Sequence, residues 1–239
     1  MAFLRESNAN QPFLRAPAVV WWLLAMLVGA HLLRLFAFRN ESDANFVVTY
    51  GFVPARYSHL YLVSHGMNPG TLLDRALPFI TYMFLHGGWT HLLVNSVWLL
   101  AFGPIVARRF GWLLFVLFFL VCGVVAAAVQ LACNWGSAAP VIGASGAISG
   151  LMAAGFRMLP FAPQPGRPPL ASILSARMLL WTGLWVFVSV VAGVTGLGTG
   201  GEVQLVAWQA HLGGYAAGLL LAGPFDALAK PKMYSAPGA

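Results

Sequence analysis

Three short stretches of this chain carry residues that could do chemistry: HLLVN at 91–95, VIGASGAISG at 141–150 and AHLGGYAAG at 210–218. A serine hydroxyl becomes a nucleophile when a neighbouring base takes its proton, and an imidazole is the usual base. Ser145 and His211 supply such a pair. Pro140 and Gly143 stand just before the serine in SAAPVIGASG, which predicts that Ser145 opens a helix. Free backbone N–H groups and the helix dipole there favour a developing oxyanion. His91 and Asn95, four residues apart, share one face of a helix, and both can donate hydrogen bonds to such an oxyanion. Each feature also has a plainer reading. Gly146 to Gly150 is itself a GxxxG packing pattern, His211 could bond a neighbouring helix, and His91 with Asn95 could be interhelical glue worth about 1 kcal/mol.

The elements that must position these residues belong to a lipid environment. Of 239 residues, 59% are hydrophobic and 8% charged, against about 25% charged in a soluble domain. Roughly 20 apolar residues cross a bilayer as a helix, and the chain offers six stretches of that character: 16–38, 89–107, 110–133, a shorter 145–159, 178–196 and 203–225. The expected fold is all-α, a polytopic bundle of six transmembrane helices. The first stretch is too long and too rich in tryptophan for a cleaved signal, so it is read as helix one. Gly214 and Gly218 follow His211 at three and seven residues and share its helix face. Gly143, Gly146 and Gly150 flank Ser145. These glycines are expected to let the serine helix and the histidine helix touch.

Charge sets the orientation. With the N-terminus inside, Arg5, Arg15, Arg108, Arg109, Arg157, Arg167, Arg177, Lys230 and Lys232 fall on the inner side, and Arg34, Arg39, Arg56 and Arg75 outside. That asymmetry places both termini in the cytoplasm, and a bacterial inner membrane is the expected location. The domain reading is a cytoplasmic tail at 1–15, a membrane domain at 16–225 and a second cytoplasmic tail at 226–239. The formal charge of +7 follows from topology and anionic lipid headgroups, and no basic, aromatic-interleaved surface points to nucleic acid. Cys122 and Cys133 lack metal or redox spacing and read as packing residues. Residues 40–77 read as an external segment in the membrane interface. The run 160–169 reads as a cytoplasmic connector, and 193–201, rich in glycine, as a mobile outer loop.

Polar residues inside lipid are costly and are therefore functional candidates. None of the acidic residues, Glu6, Glu41, Asp43, Asp74, Glu202 and Asp226, falls within the expected spans. Two membrane aspartates for an aspartyl protease, or an HExxH for a zinc enzyme, are therefore lacking. The remaining hydrolytic option is serine with histidine, as a dyad without an orienting carboxylate. No metal or cofactor is called for. A haem-binding bundle with His91 and His211 as axial ligands is the alternative from another class.

The order of the three motifs carries a family resemblance. HGGWTHLLVN from His86, GASG around Ser145 and AHLGGYAAG around His211, on spans two, four and six, resemble the rhomboid intramembrane serine proteases over roughly 72–225. The resemblance implies a six-helix bundle whose serine opens a shortened fourth helix. It implies Ser145 as nucleophile, His211 as general base, and His91, Asn95 and the Ser145 backbone N–H as the oxyanion hole. His86 matches a further family histidine. The implied reaction is hydrolysis of a peptide bond in or beside a substrate's transmembrane segment, so the expected partners are membrane-protein substrates and the bilayer. Two positions differ from the family pattern: a Trp-Arg pair would fall near Leu77 and Pro78, and Ser149 stands where some members carry an aromatic residue. A non-proteolytic membrane chaperone on the same scaffold is the second alternative. Sequence leaves the oligomeric state open.

Overall fold

The computed structural model describes residues 16–37, 41–159, 168–196 and 207–229. The expected tail at 1–15, residues 230–239 of the second expected tail, most of the 160–169 connector and residues 197–201 of the expected outer loop lie outside the described residues. Residues 226–228 and 193–195, expected as tail and loop, are helical instead. Among those described, the chain is helical: α1 (Ala18–Ala37), α2 (Glu41–Tyr50), α3 (His59–Ser64), α4 (Leu72–Ala76), α5 (Pro78–Thr81), α6 (Trp89–Phe110), α7 (Trp112–Cys133), α8 (Ser145–Met158), α9 (Ala176–Thr195) and α10 (Trp208–Leu228). Short 3-10 turns at Pro54–Tyr57 and Tyr82–Phe84 lie among the short helices between α1 and α6.

Four of these, α1, α6, α7 and α9, are long and apolar enough to cross a membrane. The other two expected spans differ from that pattern for a physical reason. α8 has 14 residues, eleven of them buried, so it meets protein rather than lipid on nearly every side. α10 has 21 residues, and its apolar run is interrupted by Gln209, His211, Gly213, Gly214, Gly218 and Pro224. A helix wrapped by other helices, as α8 is, does not need the unbroken hydrophobic surface that lipid demands, whereas α10 is buried along the face that carries Gly213, Gly214, Tyr215, Ala217 and Gly218. α10 also continues past Phe225 to Leu228, so Asp226, expected beyond the span, sits in its last turn.

Small residues set the helix spacing. A Cβ on Gly218 would overlap the Gly150 carbonyl oxygen, and one on Gly214 would overlap that of Gly146. The α8–α10 backbones therefore touch. On the other side of α8, Gly150 abuts Cys122 and Gly146 abuts Ala126, both on α7. Phe115, Phe118, Phe119 and Cys122 of α7 are buried in the same core as Leu151 and Met152 of α8. At one end of the bundle Arg109 grips Asp226 with two bonds, Nε to Oδ1 at 2.6 Å and Nη2 to Oδ2 at 2.8 Å. Arg157 donates to the carbonyls of Ala171 and Leu219. These bonds tie α6, α8 and α10 together at the end opposite Ser145.

Candidate active site

Ser145 is the first residue of α8, after an N-cap formed by Ala144. Its position is fixed from outside the helix. Phe52 and Val141 form an antiparallel bridge, with N–H to carbonyl distances of 2.9 and 2.8 Å. Ala55 N–H donates to the Ser137 carbonyl at 2.8 Å, and Gly143 N–H to the Tyr82 carbonyl at 2.9 Å. Tyr82 is in turn buried and donates its hydroxyl to the Gly123 carbonyl at 2.8 Å. The 40–77 segment, read from sequence only as external and interfacial, thus clamps the loop that delivers the serine. Fourteen residues span about 21 Å at 1.5 Å each, less than a ~30 Å hydrocarbon core. α8 is therefore too short to cross a bilayer on its own.

His211 Nε2 lies 2.8 Å from Ser145 Oγ. Because α8 and α10 meet through glycine, no side chain stands between the hydroxyl and the imidazole. For Nε2 to accept the hydroxyl hydrogen, the neutral ring must carry its own proton on Nδ1. Trp185 of α9 lies beside His211, with ring centroids 6.1 Å apart, and beside Tyr215 at 6.4 Å. Ser149, in the place of the family's aromatic residue, is buried and donates to the Ser145 carbonyl at 2.7 Å. The indole near His211 comes from α9 instead. Of the aromatic residues on α9, Trp181 stacks on Phe156 at 4.8 Å, Trp185 faces inward, and Phe187 is exposed.

His91 approaches from α6. Its Nδ1 accepts the Gly87 backbone N–H at 3.4 Å, so in the neutral ring Nε2 carries the proton and is a donor. A Cβ built on Gly143 would fall 2.7 Å from His91 Nε2 and 3.8 Å from Ser145 Oγ. The donor nitrogen and the serine hydroxyl therefore both border the space that a Gly143 side chain would fill. Gly143 has φ +121° and precedes the helix, which corrects its reading as a helix-packing residue: its missing side chain makes room for an imidazole. Gly146, Gly150, Gly214 and Gly218 do lie in the helix seams. Asn95 is buried one turn below His91 and donates Nδ2 to the His91 carbonyl at 3.0 Å. His86 is buried with its ring 5.1 Å from that of His91. His31, on α1, is also buried, and its ring packs edge-on against Trp89.

The arrangement is a hydroxyl bonded to an imidazole at a helix start, with a second imidazole across Gly143 and an amide one turn along that imidazole's helix. A family model described as the Rhomboid domain matches residues 74–225. The chain belongs to the rhomboid family. A search among curated proteins found no match. Membership accounts for what composition and fold display separately: a rhomboid is an integral membrane protein, and this one has four helices of membrane-crossing length and apolarity around its glycine-seamed α8 and α10. The matched stretch contains every candidate residue, from His86 and His91 through Ser145 to His211.

Proposed function

We propose that this rhomboid is an intramembrane serine protease that hydrolyses a peptide bond in or next to a transmembrane segment of another membrane protein. The 2.8 Å contact between Ser145 Oγ and His211 Nε2 carries the reading. In the first half-reaction His211 Nε2 takes the hydroxyl proton while Oγ bonds to the scissile carbonyl carbon. The carbonyl oxygen becomes an oxyanion, which His91 Nε2–H, the Asn95 amide and the Ser145 N–H stabilise. One such donor is worth about 3 kcal/mol in the transition state. His211 then returns the proton to the leaving amine, and the C–N bond breaks. In the second half-reaction a water gives a proton to His211 and its oxygen to the acyl carbon, releasing the acid and restoring the Ser145 hydroxyl.

The substrate helix must unwind locally, since a hydrogen-bonded helical carbonyl is not open to attack. α9 is the natural side door, because only Met178, Ser189 and Gly193 of its twenty residues are buried. The charge asymmetry of the sequence supports a topology with both termini in the cytoplasm. The deciding experiment is labelling with a fluorophosphonate probe, together with cleavage of a model transmembrane substrate, for the wild-type protein and for Ser145→Ala and His211→Ala. Labelling and cleavage lost in Ser145→Ala, with the helical spectrum unchanged, is the expected result. A wild-type protein inert in both assays would favour a non-proteolytic role for the scaffold.

A further inference from the structure

α1 ends in an arginine whose bonds reach the candidate site. Arg34 donates Nε to Asp43 Oδ1 at 2.5 Å and Nη2 to Asp43 Oδ2 at 2.9 Å, a two-pronged pair across the α1–α2 corner. The same guanidinium donates Nη1 to the backbone carbonyl of His86 at 2.6 Å. The side chains are 13% and 32% exposed, so the group is held largely out of water. A planar guanidinium with two nitrogens fixed by one carboxylate has its third direction fixed as well.

The carbonyl that Arg34 holds is half of a peptide group whose other half acts on His91. His86 C=O and Gly87 N–H belong to the same planar unit, and Gly87 N–H is the donor to His91 Nδ1 at 3.4 Å. Gly87 and Gly88 follow in sequence, and glycine leaves such a unit free to rotate unless something outside the turn holds it. Rotation would withdraw the N–H from Nδ1 and release the imidazole to its other tautomer, with Nε2 bare. A bare Nε2 is an acceptor and repels an oxyanion. A charged donor on the carbonyl also polarises the peptide and strengthens its N–H as a donor.

We propose that Arg34, oriented by Asp43, is a positioning residue for His91: by holding the His86–Gly87 peptide it keeps the His91 proton on Nε2, facing Ser145. This rests on the reading of His91 as an oxyanion donor in a serine protease. Arg34 touches neither substrate nor the reacting atoms.

The test uses the full chain in detergent, with kcat and KM measured on a transmembrane substrate and the His91 tautomer read from imidazole nitrogen-15 spectra. Arg34→Met should lower kcat about ten- to hundredfold, the scale of a small misplacement of a reacting group, with KM nearly unchanged and His91 shifted toward the Nδ1–H form. Arg34→Lys, which keeps the charge and one donor, should recover part of the loss. The exchange Arg34→Glu with Asp43→Arg restores the ion pair but not the donor to the carbonyl, so thermal stability should return while kcat stays low. Wild-type kcat in Arg34→Met, or in the exchange variant, would overturn the proposal. Should Arg34→Met not fold, the exchange variant decides alone. Were the wild-type protein inert toward substrate, the protease reading would fail, yet the His91 spectrum would still decide: an unaltered tautomer in the Arg34 variants refutes the role of Arg34.

Discussion

Gly214 on α10 and Gly146 on α8 face each other so closely that a Cβ on Gly214 would overlap the Gly146 carbonyl oxygen. His211 stands about one turn before Gly214, and Ser145 immediately precedes Gly146; their 2.8 Å contact depends on that approach. Gly214→Val should therefore push the two helices apart and reduce cleavage at least on the order of a hundredfold, since a 1 Å displacement of reacting groups can cost that much. A Cβ on Gly183 of α9 would meet nothing within 4 Å, and Gly183→Val should leave the rate within about twofold. Equal rates in wild type and a folded Gly214→Val protein would show that this seam does not set the Ser145–His211 distance.

Gly143 combines two demands that only glycine meets. Its φ of +121° is strained for any other residue, and a Cβ would fall 2.7 Å from His91 Nε2. Gly136 separates the two effects, since its φ is +78° but nothing lies within 4 Å. Both Gly→Ala changes should cost about 1–2 kcal/mol in backbone strain. Gly143→Ala should in addition lower kcat about tenfold or more by displacing the His91 donor. Comparison of thermal unfolding with kcat for the two variants checks this, and a matched loss of kcat in both would mean that Gly143 matters only for its backbone.

How much of this is legible in the sequence differs from residue to residue. Ser145, His211, His91 and Asn95 stand out because polar side chains in an apolar chain are rare, and their spacing alone puts them on helix faces. The role of Gly143 is hidden because a backbone angle and a neighbour distant in sequence decide it. Arg34 reads as one outer charge among several, since its partners Asp43 and His86 meet it only after the α1–α2 corner is turned. The bridge between Phe52 and Val141 likewise joins segments whose own patterns are irregular. α8 lacks membrane-like apolarity because eleven of its fourteen residues are buried against other helices, and α10 because polar and glycine positions interrupt its apolar run.

The pH response separates the base from the outer ion pair. Asp43 is held below the ordinary carboxylate range, first by the hydrogen bond from Arg34, with burial opposing and the charges of Arg34 and His31 assisting. A depressed carboxylate contributes its full stabilisation above its unfolded value and loses it as pH falls through the lower folded value. Across neutral pH the pair is therefore constant. A histidine base, by contrast, works only when neutral, so activity should fall with acidification through the titration of the imidazole. The pH–rate profiles of wild type and Asp43→Asn should show the same midpoint at different plateau heights. A midpoint that moves with Asp43→Asn would mean that the carboxylate, rather than His211, sets the acid limb.

The inner face of α9 makes a last prediction about entry. Trp185 lies 6.3 Å from Trp98 on α6 and 6.1 Å from His211, while Phe187, two residues on, is 66% exposed. If α9 is the side door, Trp185 is the part of it that meets α6, and Phe187 only meets lipid. Removing the indole should ease separation of α6 and α9 without touching Ser145. A transmembrane substrate must pass between helices, whereas a small fluorophosphonate need not. Trp185→Ala should thus raise cleavage of the transmembrane substrate several-fold relative to its labelling rate, because lid and gate opening commonly limits turnover, and Phe187→Ala should change neither. The opposite outcome, a parallel drop in both rates for Trp185→Ala, would assign the indole to holding the His211 ring, and entry would then have to be sought on another side of the bundle.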